Sequence, residues 1–303
     1  MFATLIAVVV ALLFGHAAKP LAAAVRRYRW WERWLLRLNQ RFDESTLWRS
    51  GNGLVMALLP PLIVAGLLYW AAGFTYLGLG QLALGVAVLF YCWGPRDLDV
   101  DVHRIVHAAS QHERREAAAQ LWPAGGAASL QAPALVGAVF RSAQRRWFGV
   151  LFWFLALGAM GALLYRLTAL AAEGEIALKL PRATADAART LKAWLDWPVA
   201  QLMVLCLAIV GNFATVRHAW KSHGGAGFSP RADFLAAAGR ASVREEIADE
   251  AQEFVEHGVS DPHTLAEHLG PLPELRDAMS LVWRLLMLWL AVLAVFVLAG
   301  WLA

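Results

Sequence analysis

The order of apolar and polar residues divides the chain into long uncharged runs separated by charged segments. A transmembrane helix needs about 20 predominantly apolar residues. Most of the runs fit one such helix, and the run from Ser50 to Pro95 is long enough for two. The predicted spans cover residues 2–18, 53–72, 76–93, 147–166, 197–216 and 283–302. The pattern therefore predicts an all-α polytopic integral membrane protein with about six transmembrane helices.

Two of these runs allow more than one interpretation. The run 2–18 precedes AAKPLAAA, whose small residues also fit a signal-peptide cleavage site. It lacks the positively charged segment with which a signal peptide begins, so we interpret it as a retained helix. The run 147–166 is interpreted as a crossing helix, with a re-entrant course left open. A crossing helix places Arg166 at its far end, whereas a re-entrant one makes Tyr165 and Arg166 the best candidates for ligand binding.

The basic residues predict the orientation of the chain. All 27 Lys and Arg residues lie outside the uncharged runs, and Lys and Arg are enriched in cytoplasmic loops. Most of them fall in the segments 19–49, 96–146 and 217–284, which we therefore place on the cytoplasmic side. The segment 166–192 and both termini are then expected on the opposite side.

The cytoplasmic segments contain two predicted helical elements. Arginines recur every three or four residues between Arg26 and Arg41, with Trp and Leu between them. This pattern is typical of an amphipathic helix on an anionic membrane surface, so the lipid bilayer is an expected partner. Residues 217–280 are predicted to form a small acidic helical element between the last two spans, as an inserted part of a single membrane domain covering residues 1–303. Within it, Asp261 and Pro262 are predicted to begin a short helix.

Composition supports the membrane interpretation and excludes several other classes. The chain is 59% hydrophobic and only 17% charged, against about 25% charged residues in soluble domains. The net charge of +4 needs no nucleic-acid partner, because basic residues gather at the cytoplasmic face. The two cysteines both fall in predicted spans, which argues against a disulfide framework. No phosphate-loop, dinucleotide or nucleophile-elbow motif occurs, so we predict no catalytic residue and no cofactor.

The stretch YCWGPRDLDVDVHRIVHA at 91–108 concentrates aspartates and histidines after an apolar run. As a calcium loop beginning at Asp97 it fails, because Val102 stands where glycine is required and Ala108 where glutamate is required. His103 and His107 are spaced for one helical face, yet the metalloprotease pattern is absent. We interpret the stretch as a membrane exit followed by a helix whose first turn carries the aspartates, and we predict no metal site.

Several polar side chains near the span ends remain candidates for binding a ligand. They belong to the stretch at 96–107, to the basic segment 141–146 and to the end of the run 147–166. The candidate ligand-binding residues are Arg96, Asp97, Asp99, Asp101, His103, His107, Arg141, Arg145, Tyr165 and Arg166.

Four segments in this order resemble the AmpE family, bacterial inner-membrane proteins described as regulatory signalling modulators of β-lactamase induction. They are YCWGPRDLDVDVHRIVHA, FGVLFWFLALGAMGALLYRL at 148–167, LDWPVAQLMVLCLAIVGNF at 195–213 and RDAMSLVWRLLMLWL at 276–290. The resemblance implies a multi-pass protein of the bacterial inner membrane. It also implies a non-catalytic modulator that links cell-wall recycling to β-lactamase induction, with a cytoplasmic protein or a cell-wall fragment as possible partner.

AmpE proteins are themselves similar to the CobD/CbiB membrane enzymes, which attach an aminopropanol arm to cobyric acid in cobalamin synthesis. The shared stretches correspond here to VLFWFLALGAMGALLYR and LDWPVAQL. The chain departs from the synthase pattern twice. FRSAQRRWFG stands where the pattern has an acidic residue and an amide, and LTALAAEG follows Tyr165-Arg166 in place of NTLDSM.

The sequence therefore leaves two functions open. The first is the non-catalytic signalling modulator, and the alternative is a membrane-bound cobalamin-biosynthesis synthase of the cobinamide type on the same scaffold. A transporter is disfavoured, because the spans carry few charges and no inverted repeat is evident.

Overall fold

A computed structural model describes residues 28–42, 45–74, 79–94, 97–123, 126, 128–173, 175–230, 233–258 and 261–299. The regular structure of these residues is helical, without a strand. The helices are α1 (Arg29–Phe42), α2 (Thr46–Arg49), α3 (Gly53–Ala72), α4 (Leu79–Cys92), α5 (Leu98–Val106), α6 (Gln111–Ala119), α7 (Ala132–Ala143), α8 (Gly149–Ala172), α9 (Arg182–Val210), α10 (Phe213–Ser222), α11 (Asp233–Glu256), α12 (Pro262–Leu269) and α13 (Pro273–Leu298). A π-helical turn, Gln144–Phe148, joins α7 to α8. The predicted span 2–18 lies outside the described residues.

Four helical stretches are long and apolar enough to cross a membrane, and the apolar helix Leu79–Cys92 is shorter. The four stretches are Gly53–Ala72, Ala132–Ala172, Arg182–Val210 and Pro273–Val295. They confirm the prediction of an all-helical membrane protein. The number of six spans, the cytoplasmic placement of the amphipathic helices and the single-domain organisation stay predictions.

Contacts between residues divide the chain into two compact units. The first unit holds the residues up to 95 together with 145–196 and 291–303, and the second holds 96–144 and 197–290. Each unit is described by itself below.

In the first unit, the predicted amphipathic helix contacts the part of α3 that contains its two prolines. Pro61 of α3 has no N–H, so the carbonyl of Ala57 loses its helical donor. The indole N–H of Trp34 donates to this carbonyl at 3.1 Å, which holds α1 against the proline-containing part of α3. Beside it, α1 buries Trp31 and Leu35 completely. Helix α1 is therefore anchored to protein on its apolar face.

Helix α8 reverses direction at Gly158. This glycine has φ +65° and ψ −154°, which lies outside the helical region. A Cβ added to Gly149 would meet the ring of Tyr165 at 2.2 Å, and one added to Gly161 would meet the carbonyl oxygen of Trp153 at 2.1 Å. In a straight helix residues 149 and 165 stand about 24 Å apart at 1.5 Å per residue. The two arms, 149–157 and 159–172, therefore pair as an antiparallel hairpin.

The tip of this hairpin reaches the middle of the neighbouring apolar helices. Phe154 of the first arm lies next to Gly85 near the centre of α4, and Met160 of the second arm lies next to Gly66 within α3. The base lies at the end of α4, where Nε of Arg166 donates to the carbonyl of Cys92 at 2.7 Å. The segment 147–166 thus turns back on itself at Gly158 and does not run as one straight helix. This reversal favours the re-entrant course that the length and apolarity of the run left open, and the course of the segment through a membrane stays a prediction.

Two contacts of the first unit bear on the predicted orientation of the chain. The amide of Asn39, just before the first described span, donates to the carbonyl of Lys179 at 3.4 Å. The hydroxyl of Thr184 donates to the carbonyl of Trp48 at 2.6 Å. Segment 166–192 therefore contacts segment 28–50, which argues against the predicted placement of the two segments on opposite sides of a membrane. The orientation of the chain stays a prediction.

The second unit contains α5 to α7, α10 to α12 and the adjoining parts of α9 and α13. The N-terminal half of α11 is buried, and a Cβ on Gly239 would come within 2.3 Å of Phe140 of α7. The C-terminal half carries the acidic residues. Asp261 caps α12 by accepting the backbone N–H of Thr264 at 3.2 Å, with Pro262 at the first helical position, as predicted.

Candidate functional site

The base of the re-entrant hairpin carries a group of polar side chains in the first unit. The hydroxyl of Tyr165 donates to Oδ1 of Asp196 at 2.7 Å, and both residues are buried. The phenol fits there because position 149 is glycine, which leaves room for the ring. Any larger residue at 149 has to displace the tyrosine. The sequence therefore fixes the position of the phenol through a glycine on the opposite arm.

Tyr165 is the end of a chain of alternating charges. Nη1 of Arg145 lies 3.0 Å from Oε2 of Glu173, and Nζ of Lys192 lies 3.0 Å from Oε1 of the same carboxylate. Lys192 also forms an ion pair with Asp196 one helical turn further along α9. We call Arg145, Glu173, Lys192, Asp196 and Tyr165 the charge cluster.

The charge cluster is mostly shielded from solvent. The four charged side chains are only 12–23% exposed. Removing charges from water costs several kcal/mol each unless they are paired and hydrogen-bonded. The alternation of two cations and two anions meets this requirement. The cluster is therefore compensated in charge as a whole.

Glu173 ends the second arm of the hairpin, just beyond α8. Burial raises the pKa of its carboxyl, but the ammonium of Lys192 and the guanidinium of Arg145 lower it by more, so the pKa lies below the ordinary value. Glu173 is consequently ionised at neutral pH and a weak proton acceptor. Its chemistry is that of a fixed anion that positions two cations.

Arg166 lies beside the charge cluster and differs from it. It is only 3% exposed. Nε is used by the carbonyl of Cys92, while Nη2 is buried without a hydrogen-bond partner among the described residues. Among the described residues, no carboxylate forms an ion pair with Arg166. A buried guanidinium with an unused donor is a candidate site for an anion.

The backbone around Arg166 is held by close packing. The N–H of Gly94 donates to the carbonyl of Arg146 at 3.2 Å. A Cβ on Gly94 would come within 2.7 Å of the Arg146 side chain. Gly94, which was interpreted as part of a membrane exit, therefore also permits the π-helical turn to approach the end of α4.

Three of the sequence-predicted site residues meet in this unit. Arg145 belongs to the charge cluster directly, Tyr165 ends it, and Arg166 lies next to Tyr165. The sequence analysis missed Glu173, Lys192 and Asp196. Lys192 and Asp196 are spaced one helical turn apart beside an apolar run, and this spacing is the signal that could have identified them.

The other predicted site residues belong to the second unit, except Arg96, which lies outside the described residues. Asp97 precedes α5 at its N-cap position, and Asp99 and Asp101 fall in its first turn, which confirms the helix start. Arg141 is exposed near the end of α7. Nothing in the structure tests a ligand-binding role for these residues, so that role stays a prediction.

Part of this set lines a cleft of about 500 Å³ between α5 and α6. Asp101, His103 and His107 contribute to it, together with Glu113 and Glu116. The two imidazole rings stack with their centroids 4.0 Å apart, so the faces of the rings meet, not their nitrogens. Among the residues that the structure describes, no group of three metal-ligating side chains converges.

Comparison with known proteins adds one relative. The chain is 28% identical over 283 residues to the cobalamin biosynthesis protein CobD of Stutzerimonas stutzeri (strain A1501), and the match covers 88% of each chain. No family model matches the chain, and no solved structure matches it. The expected resemblance to AmpE gains no support from these comparisons. The similarity instead supports a relation to the CobD/CbiB proteins.

Proposed function

We propose that this chain is a membrane-bound protein of cobalamin biosynthesis, acting as a cobinamide-type synthase in the bacterial inner membrane. The observation that carries the proposal is the 28% identity to a cobalamin biosynthesis protein, which extends over 88% of both chains. Similarity of that length extends far beyond any single segment of the chain. It therefore concerns the whole scaffold and not one motif.

The geometry at Arg166 supports this function. The resemblance to CobD/CbiB implies an acidic corrinoid substrate whose carboxyl receives an amine-bearing arm. A guanidinium pairs with a carboxylate through strong, directed hydrogen bonds. Arg166 has an unused buried donor and no carboxylate of its own in the described part of the chain. We assign it the binding of an anionic group of the substrate.

The charge cluster supports the same proposal, because its contacts hold the neighbouring side chains in place. Lys192 and Arg145 are held by Glu173, and Asp196 holds the hydroxyl of Tyr165. Because the pKa of Glu173 is lowered, this carboxylate is poorly suited to accept a proton from an amine. Its role in the proposal is to fix the neighbouring cations, which keeps Tyr165 and Arg166 in place at the hairpin base.

Complementation tests the proposal. The chain is expressed in a bacterial strain that lacks its CobD/CbiB-type synthase, and growth is measured under conditions that require cobalamin synthesis. We expect rescue by the unchanged chain and loss of rescue by Arg166→Gln. The matched control is Arg189→Gln on α9, which removes an exposed arginine that pairs with Asp186 one turn away. Failure of the unchanged chain, present at normal amounts in the membrane, contradicts the proposal.

Thermal unfolding in detergent separates binding from folding for the same variant. An uncompensated buried charge destabilises a protein, so removing it is neutral or stabilising. Arg166→Gln should therefore keep or raise the Tm while it abolishes rescue. A Tm that falls together with rescue would indicate a structural role for Arg166.

A second candidate is the signalling modulator implied by the AmpE resemblance. Arg145 favours it, because this cation lies in FRSAQRRWFG, where the synthase pattern has an acidic residue and an amide. The ligand is then a cell-wall fragment or a cytoplasmic protein. β-Lactamase induction measured in a strain without AmpE separates the two functions, since only the modulator should restore induction in the absence of corrinoid rescue.

A further inference from the structure

A groove of about 540 Å³ runs along the first unit between α1 and α3. Arg33 and Arg37 of α1 line one part of it, and Pro60, Val64 and Leu68 of α3 line the other. One part therefore offers positive charge and the other offers apolar surface.

The groove owes its shape to the proline pair of α3. Trp34 lines the groove and donates to the carbonyl of Ala57 that Pro61 leaves without a helical donor. This hydrogen bond joins α1 to α3 directly at the groove. A buried carbonyl without a partner is unfavourable, so this hydrogen bond favours the contact between α1 and α3. The groove therefore results from the packing of α1 against α3.

The two arginines of the groove can pair with an anionic ligand. Arg33 and Arg37 lie one helical turn apart and both are exposed. Nε of Arg33 donates to the backbone carbonyl of Arg29 at 3.2 Å. Neither guanidinium forms an ion pair with any residue that the structure describes. Two adjacent unpaired guanidinium groups match a phosphate diester, whose oxygens accept hydrogen bonds from both.

The apolar part of the groove faces away from protein. The side chains of Val64 and Leu68 are 57% and 56% exposed although they belong to an uncharged helix long enough to cross a membrane. Such surface is stable only against hydrocarbon. Acyl chains are therefore the natural neighbours of this part of the groove.

We propose that the groove is a binding site for one anionic glycerophospholipid, with the phosphate between Arg33 and Arg37 and an acyl chain along Val64 and Leu68. A phospholipid combines the anion and the hydrocarbon chain in one molecule, which is the combination that the two parts of the groove require. This goes beyond the general attraction of a basic helix to a membrane surface, because it names one lipid and two of the arginines of α1.

Native mass spectrometry of the purified full chain tests the site with phosphatidylglycerol and phosphatidylcholine as probes. We expect the unchanged chain to retain phosphatidylglycerol in preference to phosphatidylcholine. The double variant Arg33→Gln/Arg37→Gln should bind phosphatidylglycerol about thirtyfold more weakly, since each of the two basic residues near an anionic lipid contributes about 1 kcal/mol.

The matched control is Arg29→Gln/Arg41→Gln, which removes the same charge from exposed positions of α1 outside the groove. It should change binding by no more than about twofold. Equal losses in the two double variants overturn the proposal, because they indicate attraction to the whole basic helix. Competition by inorganic phosphate at millimolar concentration also overturns it, since acyl chains are then not needed.

A second variant keeps the test independent of the arginines. Ala65 lines the groove and is partly exposed, so Ala65→Trp fills the apolar part without removing a charge. We expect it to displace phosphatidylglycerol while the Tm in lipid-free detergent stays unchanged. An unchanged affinity of this variant for phosphatidylglycerol contradicts the proposal. A mass spectrum in which the unchanged chain binds a second copy of itself and no lipid also contradicts it.

Discussion

The two compact units use charged side chains in different ways. In the first unit, Arg145, Glu173, Lys192 and Asp196 share their partners in one shielded chain of alternating charges. In the second unit, Arg284 pairs with Glu246 at 2.6 Å and Arg276 pairs with Glu250, and both arginines are about half exposed. Because the charged side chains of the first unit share their partners, removing one of them takes an opposite charge away from its neighbours. The exposed pairs are separate contacts between α11 and α13.

The two glutamates that represent these groups have opposite pKa shifts. Burial and the carboxylate of Asp277 raise the pKa of Glu246 by more than Arg284 lowers it, so the net shift is upward. For Glu173, two cations outweigh burial, and the net shift is downward. Burial alone thus does not determine the direction of a shift. The number of opposite charges in contact decides it.

The largest expected effect concerns the hairpin of α8, which brings the charged side chains of the first unit together. With Cys92 and Cys206 replaced by alanine, Gln40→Cys and Glu175→Cys should react with a membrane-impermeant maleimide from the same side of the membrane, because α1 and the segment after α8 are in contact. The measurement is labelling in cells and in inside-out vesicles. Labelling of the two positions from opposite sides is incompatible with the re-entrant hairpin.

Removing Lys192 should have the next largest effect. Lys192→Met leaves Glu173 and Asp196 without their shared cation, and breaking a shielded ion pair by removing one partner costs about 3–5 kcal/mol. Chemical unfolding in detergent measures the loss. The double variant Lys192→Met/Glu173→Gln should recover part of it, because one of the two carboxylates is then neutral. A loss below about 1 kcal/mol would place the cluster in the same class as the exposed pairs.

The dependence of stability on pH should differ in sign between the two glutamates. The folded-state pKa of Glu173 is lowered, so its contribution is present above the unfolded value of 4.5 and is lost as the pH falls through the folded pKa. The folded-state pKa of Glu246 is raised, so its contribution is present below 4.5 and is lost as the pH rises through the folded pKa.

Tm profiles of Glu173→Gln and Glu246→Gln measure these contributions. Glu173→Gln should weaken the fall in Tm on the acid side, and Glu246→Gln should weaken the fall above pH 4.5. Profiles that shift in the same direction for both variants would contradict the contrast.

The smallest expected effect belongs to the exposed pairs. Arg284→Gln should change the free energy of unfolding by no more than about 1 kcal/mol, because solvent and salt screen such pairs. The effect should shrink further at high salt. A salt-independent loss as large as that of Lys192→Met would show that the second unit depends on its ion pairs as the first does.

The sequence determined much of the fold at the level of single helices. Periodic arginines predicted a helix where the structure has α1, and the uncharged run predicted a helix where the structure has Gly53–Ala72. Asp261 and Pro262 predicted the start of α12, and the aspartates after Gly94 predicted the start of α5. These features depend on hydropathy, on the missing N–H of proline and on local hydrogen bonds. Residues that are close together in the sequence determine all three.

Only the tertiary structure decided that the run 147–166 turns back. A glycine within an apolar run permits a helix and a reversal alike, and the reversal at Gly158 depends on Gly149 receiving the ring of Tyr165. The charge cluster depends on the same reversal, since it joins Arg145 to Glu173, 28 residues further along the chain. The sequence determined which segments avoid water. Contacts between distant residues determined on which side their charged ends meet, because hydropathy carries no information about direction.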